Sequence, residues 1–375
     1  MIYLDYSATT PVSDEVLDTF VGACKKFLGN PNSLHRLGVE ANGIIEEATK
    51  QIAKLMKVNA NEIIYTSGSS ESNNLAILGI AGKYKNRGKH IITTSLEHSS
   101  IYGPIDYLVN NGYEVSFVEL DNDGRVDLED LKNIIRDDTI LVSINAVNSE
   151  IGIIQPIKEI ADILKDYHKC YFHVDATQAV GKIDIDVDKA DLISFSAHKF
   201  YGIKGIGVLI KKDKIELDPI IHGGKSTTKY RSGTPALPLI VSMAKALRLG
   251  LDNLDNKYNE IKIKEDFLIS KLSDYEKVKI NSNSYSIPHI LNISVLGVKP
   301  ETMLHALEEG DIFISTQSAC SASNTESKAV YAITNDKDRS NSSIRISLSH
   351  LTTTKELEEF LKVFDKCYNK LTNLR

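Results

Sequence analysis

No run of apolar residues in this 375-residue sequence approaches the length of a membrane span. The opening Met1-Ile2-Tyr3-Leu4-Asp5 lacks a basic segment followed by an apolar one, so no export signal is expected. Blocks of basic charge are missing too. The 44 Lys and Arg are interspersed with 50 Asp and Glu, for a net charge of -6, which argues against nucleic acid as a partner. Only four cysteines occur, at 24, 170, 320 and 367, and their spacing fits neither a metal site nor a disulfide framework. Reduced thiols in a cytoplasmic protein are the expectation. Internal repeats, low-complexity tracts and flexible linkers are also absent. With 42% hydrophobic and 25% charged residues, the composition is that of an ordinary globular protein, long enough for two domains.

What is present is alternation. Short apolar runs at 62–66, 90–94, 114–120, 139–145, 171–175, 192–195 and 207–210 read as strands. Helical stretches at 71–83, 127–136 and 157–167 lie between them, the last opened by Pro156. Such alternation predicts an α/β layer with a mostly parallel sheet, whose ligands sit beyond the carboxyl ends of the strands. From about 240 the pattern turns helical (239–252 and 256–272). Strand-like pieces at 290–295, 312–316 and 343–348 then alternate with helices, as in a second, smaller α+β domain.

The polar motifs fall at strand ends. In His173-Val174-Asp175-Ala176-Thr177-Gln178, Asp175 ends an apolar run. It reads either as a turn-capping residue or as a buried carboxylate for a cationic ring nitrogen. In Ser194-Phe195-Ser196-Ala197-His198-Lys199-Phe200-Tyr201-Gly202, Lys199 follows the next strand, 24 residues after Asp175. A lysine that captures an aldehyde, opposite a carboxylate that keeps a pyridine ring protonated, is what pyridoxal phosphate requires. Arginine cannot substitute for that amine. Thr66-Ser67-Gly68-Ser69-Ser70-Glu71 sets a hydroxyl-rich turn before a helix, which is either plain N-capping or an anion seat. No Gly-Lys-Ser/Thr follows, so it is not a nucleotide P-loop. Ser196 and His198 stand ready to add donors. His98, in Ser95-Leu96-Glu97-His98-Ser99-Ser100, reads as structural or as an imidazole stacked on a planar ring. No third ligand stands beside Glu97 and His98 at helical spacing, so no metal is expected. Cys320 lies in a loop of small polar residues, a setting for a nucleophile more than for a packed thiol. Arg345, between Ile344 and Ile346, points opposite to them and suits a carboxylate clamp or an exposed strand face.

Together these motifs resemble the NifS/IscS-type cysteine desulfurases, of the class V aminotransferase branch of the fold-type I pyridoxal-phosphate enzymes. The resemblance runs nearly end to end. It is carried by "YLDYSATTP", "NPNSLH", "YTSGSSESNNLA", "LEHSS", "NSEIGIIQPI", "HVDATQAVGK", "SAHKFYGIKGIG", "RSGTP", "SACSAS" and "SSIRISL". It implies a large cofactor-binding domain over 13–255, built on a mostly parallel seven-stranded sheet flanked by helices. A small domain over 1–12 and 256–375 would carry the cysteine loop.

The resemblance implies roles as well. Lys199 would bond covalently to the pyridoxal phosphate aldehyde, Asp175 would hold its ring nitrogen, and Gln178 would bond its phenolic oxygen. His98 would stack on the ring and shuttle protons. Ser69, Ser70, Ser196 and His198 would surround the phosphate, with Thr234 reaching over from the other subunit of a homodimer. Asn148 and Arg345 would hold the carboxylate of L-cysteine. Cys320 would take its sulfur as a persulfide, leaving L-alanine, and pass it to an acceptor protein such as an iron–sulfur scaffold or another carrier. A selenocysteine lyase or another class V lyase or transaminase is the alternative on the same frame. The sequence departs from the family at Ser69-Ser70, Ser149, Asn324-Thr325-Glu326 and Ser349-His350.

Overall fold

The computed structural model describes residues 1–186, 189–316 and 326–373. Seven strands form the main sheet, in the order Ile63–Thr66, Gly207–Lys211, Leu192–Ser196, Tyr171–Asp175, Thr139–Asn145, His90–Thr93, Glu114–Phe117. Gly207–Lys211 runs antiparallel to both of its neighbours, and the other pairings are parallel. The strands are buried throughout except at the Glu114–Phe117 edge. Their side chains alternate between two cores. Val142, Phe172, Ile193 and Val208 face one, and Leu141, Tyr171, Leu192 and Leu209 face the other. That two-sided burial explains why the strands read as continuous apolar runs rather than as alternating ones.

The helix expected over 71–83 starts earlier, spanning Ser69–Tyr84. Three helices are not marked in the alternation. Asp14–Lys26 and Arg36–Leu55 both pack on Leu237–Leu251. Much of the buried stripe of Arg36–Leu55 is small, with Gly38, Ala41, Ala48 and Ala53, which mutes its hydrophobic period. The helix Ser99–Val109 contains Pro104, a residue that argues against a helix interior.

Beyond residue 254, the strands Val278–Ile280, Ile290–Val295 and Ser343–Ser347 form a three-stranded antiparallel sheet. The strand expected over 312–316 is only Ile312–Phe313, paired in parallel with Ile2–Tyr3. A separate core collects Leu4, Ile261, Leu268, Leu291, Ile293, Ile344, Ile346, Phe360 and Phe364. The N-terminal segment thus starts in this core before crossing to the carboxyl edge of the large sheet. There Thr10 N–H donates to the His198 carbonyl at 2.9 Å, and Tyr201 N–H donates to Thr10 Oγ1 at 2.7 Å.

Candidate active site

The strands Tyr171–Asp175 and Leu192–Ser196 lie side by side with Asp175 opposite Ser194. Their chain ends therefore open at the same edge, and Asp175 and Lys199 line one cavity of about 200 Å³. Ser7, Ser69, Ser70, His98, Asn145 and Arg345 share its wall.

Asp175 is buried and also caps its turn. Its Oδ1 accepts from Thr177 N–H at 3.0 Å and shapes the turn, while Oδ2 accepts from Asn73 Nδ2 at 2.8 Å inside the protein. Lys199 Nζ donates to the carbonyls of Ser7 and Ala8, at 2.7 and 2.8 Å. The N-terminal segment therefore aims the amine as well as bracing its loop.

His98 precedes the helix Ser99–Val109, and its Nδ1 accepts from Ser100 N–H at 3.1 Å and meets Ser100 Oγ at 2.8 Å. A nitrogen that accepts a backbone N–H carries no proton, so the ring proton is on Nε2. Burial, reinforced by the Lys199 charge against the opposing Asp175, lowers the imidazole's pKa and keeps it neutral. His198 is also neutral. Burial first, then Lys199, Lys204 and Lys182, push it down to about 4.

The anion-seat reading gains from the helix start. Gly68 precedes the helix, and no side chain caps the first turn. Ser69 and Ser70 are the first helical residues and face the cavity, with His198 opposite. The N-terminal amides and the positive end of the helix dipole lie beside them. Gly207 permits the close approach of the next strand: a Cβ there would lie 2.7 Å from Gly68 Cα. Ser196 is buried just behind, its Oγ donating to the Ile206 carbonyl at 3.5 Å.

Arg345 is almost fully buried and lines the cavity. The exposed-strand reading of this residue does not hold. Asn148 itself is outside the lining, between Val147 and Ser149, which are in it. Its Nδ2 donates to the Leu96 carbonyl at 2.8 Å, and its Oδ1 accepts from Glu150 and Ile151 N–H at 2.8 and 2.9 Å. It orders the turn that carries Val147 and Ser149 into the wall, and Asn145 and Gln178 are the amides that line the cavity. Thr234 is exposed and stands outside the lining. Cys320 lies outside the described residues.

Four residues were missed in the sequence: Asn73, Asn145, Glu97 and Ser7. Asn73 shows only as one of six polar residues that open its helix, Asn145 only as the polar end of a mostly apolar strand, and Glu97 only as the neighbour of His98. Glu97 is fully buried, which pushes its carboxyl up to about 8. Its Oε1 accepts from Thr94 Oγ1 and from Asn145 N and Nδ2, between 2.8 and 3.0 Å.

Four polar atoms of lining residues are buried without a partner among the described residues: Ser7 Oγ, Asn145 Oδ1, Thr177 Oγ1 and Arg345 Nε. Buried polar groups are normally satisfied, so this wall suits a polar ligand. A carboxylate at one end, an amine beside it and an anion seat match a protonated heteroaromatic aldehyde bearing a phosphate. Among the described residues, no cluster of three His, Cys, Asp or Glu is arranged to hold a metal, and no helix is long and apolar enough to cross a membrane.

Comparison with known proteins agrees with the geometry. The class-V aminotransferase family matches residues 2–360. A "NifS/IcsS protein homolog" of Lactobacillus delbrueckii subsp. bulgaricus is 43% identical, covering 100% of this chain and 99% of its own. "Cysteine desulfurase IscS" of Dictyoglomus turgidum is 39% identical, covering 100% and 96%. Among solved structures, a "NifS-like protein" superposes with a TM-score of 0.92 at 34% identity, covering all of both chains. "SspA in complex with cysteine" does so with 0.82 at 32%, covering 94% of this chain and 100% of its own. The chain therefore belongs to the class-V aminotransferase family, in its NifS/IscS-type cysteine desulfurase branch.

Proposed function

We propose that the cavity binds pyridoxal phosphate and that the enzyme converts L-cysteine to L-alanine, leaving the sulfur as a persulfide on Cys320. The observation that carries this reading is the pairing of Asp175 and Lys199 across one cavity with His98 in the same wall. When bound, pyridoxal phosphate supplies an aldehyde for amine capture and an electron-accepting ring.

The chain's own residues supply the rest. Asp175 holds the ring nitrogen, with Asn73 fixing the carboxylate, and Gln178 reaches the phenolic oxygen. Ser69, Ser70 and the helix amides take the phosphate, with His198 as a neutral donor or acceptor. Ser196 supports them from behind, and Thr234 completes the seat from the second subunit of a homodimer. Lys199 and neutral His98 are the two bases placed to move the α-proton. Arg345 receives the substrate carboxylate. Asn148 joins it, with the Nδ2 hydrogen that its bond to the Leu96 carbonyl leaves over.

The balance of the sulfur step is simple. The Cys320 thiolate bonds to the substrate sulfur, the carbon–sulfur bond breaks, and the alanine carbon gains a proton. The persulfide then passes to an acceptor, an iron–sulfur scaffold or another carrier. The division into a large unit over 13–255 and a small unit over 1–12 and 256–375 is proposed on the same basis. The separate core that joins Leu4 to residues from Ile261 onward supports it, although Ile287 and Ile290 pack with the large core. A cytoplasmic location accords with the reduced thiols this chemistry needs.

Product analysis tests the reading. With L-cysteine and a reductant, the wild-type protein should release alanine and sulfide, and Cys320→Ala should not. Pyruvate and ammonia in their place would overturn it, pointing to β-elimination.

A further inference from the structure

Lys182 is a buried amine that the proposed chemistry does not use. It is only 6% exposed. Its Nζ donates a short hydrogen bond to Gln178 Oε1, four residues earlier. No carboxylate pairs with it among the described residues. Burial, then the cations Lys199 and Arg345, set its pKa well below the ordinary lysine value. A neutral amine still donates, so the bond to Gln178 does not need the charge.

The local backbone brings Lys182 to this place. Gly181 adopts φ 76°, and a Cβ there would sit 2.7 Å from Phe200 Cβ, so only glycine lets the chain turn against the Lys199 loop. The turn sends the lysine side chain back toward Gln178.

The Gln178 amide is then oriented by chemistry alone. Lys182 Nζ donates to the amide oxygen, which has no hydrogen of its own to give. A backbone carbonyl has no donor, so the amide nitrogen must face Ser7, and Nε2 donates to the Ser7 carbonyl at 2.9 Å. The same carbonyl accepts from Lys199 Nζ at 2.7 Å. One chain of hydrogen bonds thus runs from Lys182 through Gln178 and Ser7 to Lys199. The second N–H of the Gln178 amide remains for the cavity that Gln178 lines.

We infer that Lys182 is a positioning residue: it locks the Gln178 amide with its nitrogen toward the cavity, so that Gln178 presents a donor to the phenolic oxygen of the cofactor. This rests on the pyridoxal phosphate reading above. With the amide reversed, its oxygen would meet another acceptor. Lys182 touches neither cofactor nor substrate and acts through Gln178.

A double-mutant cycle on cofactor affinity tests this, with apo-protein titrated with pyridoxal phosphate by equilibrium dialysis. Lys182→Met should bind about five- to tenfold more weakly, the worth of one oriented hydrogen bond. Gln178→Ala should lose at least as much. The double variant should bind within about twofold of Gln178→Ala, because contacting residues that act as one unit are not additive. Lys182→Met also leaves the buried Gln178 Oε1 without its donor, so a modest fall in the melting temperature is expected, and circular dichroism checks that the variant is folded. Lys182→Leu takes its place in the cycle if the Met variant does not fold. Additive losses, or wild-type affinity in Lys182→Met, would overturn the inference alone. A wild-type protein that binds no pyridoxal phosphate would overturn both the inference and the reading beneath it.

Discussion

The Arg345 guanidinium is held by the Asp5 carboxylate, with Nη2 2.8 Å from Oδ1, and by the Ser149 carbonyl 2.8 Å from Nη1. The pair is almost out of water, the side chains being 2% and 20% exposed. Removing one member of a buried pair strands the other charge, at a cost of roughly 3–5 kcal/mol when both are fully buried. Partial exposure of Asp5 lowers the expectation to about 2–3 kcal/mol for Asp5→Ala. The exposed pair between the N-terminal amine and Asp311 is the internal control, with side chains 73% and 65% exposed. Asp311→Ala should cost under about 1 kcal/mol. Urea unfolding of both variants checks this, and equal midpoints would contradict it.

Asn73 ties the two sides of the cavity together. Its Nδ2 donates to Asp175 Oδ2 at 2.8 Å and to Ser100 Oγ at 2.9 Å, and Ser100 Oγ in turn meets His98 Nδ1. Asn73→Ala should weaken pyridoxal phosphate binding about tenfold, as one hydrogen bond to a charged acceptor is lost. Ser100→Ala leaves the Asp175 bond intact and should weaken binding by less than about threefold. Fluorescence titration of the apo-proteins separates the two, and the reverse order would break the link to Asp175.

Much of this site is legible in the sequence because strand ends are. Asp175, Lys199 and His98 each follow an apolar run, and the parallel sheet collects those ends at one edge. Ser69 and Ser70 are legible for the same reason, although the helix begins on them rather than after them. Asn73, Ser7 and Lys182 are not, because each reaches the site through packing that no local pattern encodes. Asn73 sits in a helix, Ser7 arrives by a 192-residue return to Lys199, and Lys182 needs the left-handed Gly181. The family departure at Ser349-His350 also gains a physical account. Ser349 Oγ lies 2.5 Å from Tyr201 Oη, and the His350 ring packs edge-on against the Tyr201 ring. These contacts steady the segment two residues beyond Lys199.

The thiols should divide by environment. Burial, with Asp191 adding to it, pushes the Cys170 pKa up, and burial raises Cys367 as well. Cys24 is exposed. Since the thiolate is the reactive form, a disulfide reagent at pH 7.5 should modify Cys24 at once and leave Cys170 and Cys367 untouched until the protein unfolds. The nucleophile proposal adds Cys320 to the fast class. Mass spectrometry of the labelled protein checks the division, and fast labelling of Cys170 would contradict its burial.

Glu97 should leave a signature in the pH dependence of stability. Complete burial pushes its carboxyl from 4.5 up to about 8, against the Asn145 and Thr94 hydrogen bonds, which favour the anion. The folded protein therefore holds a proton that the unfolded chain has released between about pH 4.5 and 8. Stability from this group is fully present below that window and is lost as pH rises through it, by up to about 1.4 kcal/mol per pH unit. The buried histidines act in the opposite sense. His173 and His198, both lowered to about 4 by burial, withdraw stability as pH falls from 6.5. The two trends overlap in the wild-type profile, but the histidine part is common to Glu97→Gln and cancels in the difference. Glu97→Gln should therefore match the wild type near pH 5 and become progressively more stable than it toward pH 8. Thermal melts of both proteins across that range check this. A gap that stays constant with pH would mean that Glu97 is ionised in the folded protein throughout.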